Sequence, residues 1–118
     1  MKILINDELL EIKFSITDKL AVMRGSFKIP PKNVIKVHSN RPKTEIGEVR
    51  LIGIGLPGAV KTGTFHTKRG RELWYVGRGD DNIMVIELEN ESYKNIILQT
   101  KDSQKWINQI NKVLANRK

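Results

Sequence analysis

The chain contains no cysteine. That absence removes thiolate catalysis, cysteine-based zinc sites and iron–sulfur ligation together. It also suits a reducing cytoplasm, where disulfides are rare. Long hydrophobic runs are missing too: no segment approaches the roughly 20 apolar residues of a membrane-spanning helix. The opening MKILINDELLEI carries Asp7, Glu8 and Glu11 where a signal peptide would have its apolar core. A soluble cytoplasmic protein is the expectation. Acids are scarce, with 13 Asp and Glu against 21 Lys and Arg, for a net charge of +8. A balance this basic favours anionic partners and says nothing about fold.

What is present fits one domain spanning 1–118. Such a length buries on the order of two thirds of its unfolded surface without a metal or disulfide staple. The pattern is organised around Leu51–Val76. Val60, Thr62, Thr64 and Thr67 are β-branched, and Leu73-Trp74-Tyr75-Val76 is a short apolar run. Between them lies Lys68-Arg69-Gly70-Arg71, where Gly70 can take a positive φ. The spacing predicts a hairpin, roughly 60–67 paired with 72–77, with a cationic tip. Gly53-Ile54-Gly55-Leu56-Pro57-Gly58 fits the dinucleotide fingerprint G-x-G-x-x-G, but a β-type run follows it rather than a helix. With no helix N-terminus to receive a pyrophosphate, it reads as a bend.

Upstream, 2–5 and 8–14 read as strands around an Asn6-Asp7 turn, with Leu10, Ile12 and Phe14 inward. A short helix capped by Asp18 is expected between 15 and 24. Strands at 27–29, 34–37 and 49–52 follow, the first broken by Pro30-Pro31. Downstream, 83–88 and 93–100 form a second hairpin, with Met84, Ile86 and Leu88 on one face and Ile96 and Leu98 on another. The last element, about 102–116, is an amphipathic helix with Asp102 as N-cap. Trp106, Ile107, Ile110, Val113 and Leu114 share its apolar face. The expected class is mainly β with one C-terminal helix, a barrel of antiparallel strands capped by that helix.

Phe27-Lys28-Ile29-Pro30 with Val34-Ile35-Lys36-Val37 resembles the opening of small bacterial pleckstrin-homology-like proteins. The stretch from Leu56-Pro57-Gly58 through Lys61-Thr62-Gly63-Thr64-Phe65 and Leu73-Trp74-Tyr75-Val76 is similar to their central region, as are Ile83–Leu88 and Tyr93–Leu98. The likeness covers about 27–115, and its Pro-Gly to Gly-Thr-Phe spacing is its most specific part. It implies a versatile interaction scaffold and carries no catalytic or ligand signature. Lipid-binding eukaryotic relatives of that fold place a basic motif between the first two strands, where this chain has Asn6-Asp7-Glu8.

The candidate anion contacts are Lys61, His66, Lys68, Arg69, Arg71 and Arg78, which face only Glu72 among acids over 61–78. A dispersed solvated surface is the simpler reading of the same charges. His38 and His66 lack a metal-ligand pattern, and Asp80-Asp81-Asn82 fits turn chemistry without EF-hand spacing. Neither a Ser–His–acid order nor paired carboxylates can be singled out, so no catalytic residue, metal or cofactor is expected. Trp74, Tyr75 and Trp106 could stack bases, but their apolar settings favour core packing. The functional expectation is a non-catalytic binding or assembly module acting through protein contacts, self-association included. The alternative is a binder of anionic surfaces, phospholipid headgroups or nucleic acid, through 61–78.

Overall fold

The computed structural model describes residues 2–13, 26–40, 42, 49–52, 61–77 and 81–116. Among them are nine strands in two sheets and one α-helix. Expectations for 15–24, Phe14, the 53–58 bend, Arg78 and Asp80 lie outside the described residues.

Strands β1 (Lys2–Ile5), β2 (Leu10–Lys13) and β3 (Ser26–Ile29) form an antiparallel three-stranded sheet. Asn6 organises its first turn. The side-chain oxygen accepts from the amides of Glu8 and Leu9 at 2.8 and 2.9 Å, and its own amide donates to Leu9 O. Ile3, Leu10, Ile12, Phe27 and Ile29 point to one face and are buried.

Pro30 and Pro31 supply no amide donors, and a 3₁₀ turn, Pro31–Asn33, follows at once. The first ladder ends there. The chain restarts as β4 (Val34–His38), at one edge of a second, six-stranded sheet. This sheet adds β5 (Val49–Ile52), β6 (Lys61–Thr67), β7 (Gly70–Val76), β8 (Ile83–Leu88) and β9 (Asn95–Gln99). Its order is β4-β8-β9-β7-β6-β5. In place of the expected barrel of antiparallel strands, the described residues form two sheets.

A second departure concerns direction, because β7 and β9 are parallel. β8 does not pair with β7, the strand before it in sequence. The tight return through 89–94 then inserts β9 antiparallel to β8 and alongside β7. Asn33 O helps to fix that return by accepting from the amide of Glu89 at 2.9 Å.

β7, β8 and β9 bury side chains on both faces of the sheet. Leu73, Met84, Ile86, Leu88, Ile96 and Leu98 face the small sheet and the helix in the main core. Phe65, Trp74, Val76, Ile83, Val85 and Ile97 form a second cluster. The helix α1 (Ser103–Asn116) buries Ile107 and Ile110 against the main core, with Trp106 and Leu114 half-buried beside them. Asp102 accepts the first helical bond, from Trp106 N, but its φ is 62° rather than the extended value usual at an N-cap. Asn111 of α1 donates to Val37 O at 3.2 Å, so the helix covers part of the β4 edge.

Candidate functional site

The central hairpin is tighter than expected. Thr67 pairs with Gly70, so the connection is only Lys68-Arg69 and Arg71 belongs to the strand. Thr67 Oγ1 accepts from Arg69 N at 3.0 Å and donates to Gly70 O at 3.2 Å. Gly70 takes φ 118°, a backbone state that side chains resist.

This geometry separates the candidate anion contacts. His66 and Arg71 are direct cross-strand partners, and both are exposed, as is Lys68 in the turn. Arg69 turns the other way. Its Nε donates to Glu72 Oε2 at 2.8 Å and its Nη2 to Glu72 Oε1 at 2.9 Å. The backbone of Lys61 pairs with Val76 at the start of β6. Its side chain, like Arg78, lies outside the described residues.

Glu72 is the residue that sequence reasoning passed over. It is buried at 0% exposure on the second face of the sheet. Besides Arg69, it accepts from Trp74 Nε1 at 3.1 Å and Asn95 Nδ2 at 2.7 Å. Burial pushes its carboxyl up. Those hydrogen bonds from Arg69, Trp74 and Asn95, with the Arg69 charge, more than offset it and hold the group below its ordinary value. The signal in the sequence was a lone acid in an apolar strand, two residues before a tryptophan.

Across the same face, Glu87 pairs with Asn95 in register, and Asn95 with Glu72. A polar row thus crosses three strands. Glu87 in turn meets His38, whose Nε2 lies 2.7 Å from Oε2, and Lys36, whose Nζ lies 3.6 Å from it. His38 Nδ1 accepts from Asn40 N at 3.0 Å. With Nδ1 accepting, the ring proton sits on Nε2 and is donated to Glu87.

Beside this row lies a cavity of about 340 Å³. Ile35, Pro42, Val85 and Leu88 supply apolar lining. His38, Arg69, Glu87, Lys94 and Asn95 supply the polar groups. Ile35 is the residue skipped where the β4–β8 register shifts, and it is 50% exposed. Lys94 reaches the cavity across Gly70: a Cβ there would come within 2.6 Å of Lys94 Cγ. Lys94 N also donates to Arg71 O at 2.8 Å, which fixes the residue against the hairpin.

The aromatics pack as their apolar settings suggested. Trp74 is fully buried, and Tyr75 and Trp106 pack on the main core. Asp81 is exposed in the turn before β8. Among the described residues, His, Cys, Asp and Glu form no group of three or more that could hold a metal, and no helix is long and apolar enough to cross a membrane. In comparisons with protein-family models, curated proteins and solved structures, nothing matched this chain.

Proposed function

We propose that the chain is a non-catalytic binding module on a pleckstrin-homology-like plan, acting in the cytoplasm through protein contacts that include copies of itself. One observation carries this reading. The exposed large hydrophobic residues among those described are Leu4 and Ile35, at 42% and 50%, and both sit on edge strands. An edge offers unpaired backbone groups, and an apolar side chain on it gives a partner strand something to bury. The C-terminal helix packed over strands is the part of the plan that supports the resemblance. The parallel β7–β9 pair is a departure from it.

Light scattering on the full chain tests the reading. A mass above one chain that falls to the monomer in Leu4→Lys or Ile35→Lys supports edge-mediated self-association. A monomeric wild type that retains no partner in a crosslinking screen overturns it.

A second reading has its own support. His66 and Arg71 are cross-strand partners at one end of the hairpin, and both are exposed beside Lys68 in the turn. Cations near an anionic lipid surface contribute about 1 kcal/mol each. Sedimentation with anionic vesicles, lost when Lys68 and Arg71 are replaced by Ala, would favour this second reading over protein contacts.

A further inference from the structure

The cavity beside β4 has a charge arrangement that suits one kind of ligand. Arg69 is matched by Glu72, and Glu87 by Lys36. Among the described residues, that leaves Lys94 as the lining cation without a carboxylate partner. Its placement is built into the fold, because its stem crosses the strand at a glycine whose φ is 118° and whose missing Cβ leaves the room. Ile35, Pro42 and Val85 supply apolar surface in the same cavity. About 340 Å³ lies near the lower end of the range for small-molecule sites, roughly 300–1,000 Å³, room for a small group.

We propose that this cavity binds a single carboxylate carried on a small branched apolar group. Lys94 pairs with the carboxylate, and Ile35 and Val85 cover the hydrocarbon. Two sources share that chemistry: a free short-chain acid and the C-terminal residue of a peptide. The proposal goes beyond edge-mediated contacts, since a chain that stays monomeric can still fill this cavity.

Titration of the ¹⁵N-labelled full chain, followed by amide shifts, decides the matter. The probes are 4-methylvalerate for the free acid, N-acetyl-leucine for the peptide terminus and N-acetyl-leucinamide as the uncharged control. The expected result is saturable shifts at 35–38, 85–88 and 94–95 with a carboxylate probe. The leucinamide should bind about tenfold more weakly, as loss of a charged hydrogen bond implies. Lys94→Gln should bring the acid down to the amide's affinity, and Lys94→Arg should retain binding. Tighter binding of N-acetyl-leucine than of 4-methylvalerate assigns the peptide source, and the reverse order assigns the free acid. Equal binding of acid and amide overturns the proposal. So does the absence of saturable shifts with either acid, or shifts confined to His66, Lys68 and Arg71.

Discussion

Glu72 and Arg69 form a two-pronged ion pair across the end of the central hairpin, with the carboxylate wholly buried and the guanidinium partly exposed. The pair couples turn to sheet. Arg69 caps the connection between β6 and β7, while Glu72 also holds Trp74 of its own strand and Asn95 of β9. Removing Glu72 leaves the donors it satisfies, Trp74 Nε1 and Asn95 Nδ2, without that acceptor and takes one partner from a half-buried guanidinium. Glu72→Ala should therefore lower stability by about 3–5 kcal/mol, read from urea denaturation midpoints. A loss below about 1 kcal/mol would mean that water enters and replaces the carboxylate, as it does at exposed pairs.

The same carboxylate makes stability depend on acid. Its folded pKa lies below the ordinary 4.5, so the unfolded chain binds the proton more readily than the folded one. The contribution is fully present above the unfolded value and is lost as pH falls through the folded value. Thermal melts of wild type and Glu72→Gln should differ most near neutrality, and the gap should shrink as pH drops below about 4. A gap that widens in acid would reverse the direction assigned here.

The main core predicts a simpler loss. Ile110 is fully buried where α1 meets both sheets, and its side chain cannot be replaced by neighbours held in regular strands. Ile110→Ala should cost about 2–5 kcal/mol, while Gln109→Ala on the exposed side of the same helix should fall within about 0.5. Comparable effects at both positions would place the helix elsewhere.

Much of this architecture was legible along the chain, and its limits have a physical origin. Strand positions could be read because alternation persists: Leu10 and Ile12 face inward, and Met84, Ile86 and Leu88 share one face. The C-terminal helix was readable from Ile107 and Ile110 at helical spacing. Strand order was not. Both faces of β8 and β9 are buried, so their near-continuous apolar runs do not say which neighbour lies on which side. For the same reason the place of β9 between β7 and β8 could not be foreseen. The site suffered similarly. Lys94 and Gly70 are 24 positions apart in sequence, and Glu72 finds Asn95 only through the parallel pair. Local pattern placed Arg69 with the exposed cations, whereas tertiary burial of Glu72 turns it inward.

Gly70 provides the sharpest test of how the hairpin and the cavity are joined. Replacing it with Ala adds a Cβ at φ 118° and 2.6 Å from Lys94 Cγ, so both backbone and neighbour must shift. Placing Ala at an incompatible positive φ should destabilise by more than about 1 kcal/mol. The backbone term and the contact with Lys94 can be separated by a double-mutant cycle. In a Lys94→Gly background the side-chain clash is gone, and only the strain at φ 118° remains. Gly70→Ala should then be less harmful in that background than in wild type, giving a coupling of about 0.5–3 kcal/mol. Purely additive losses would mean that the Lys94 stem moves aside without cost. Its crossing of the strand would then be incidental, and the glycine would not set where the Lys94 side chain meets the cavity.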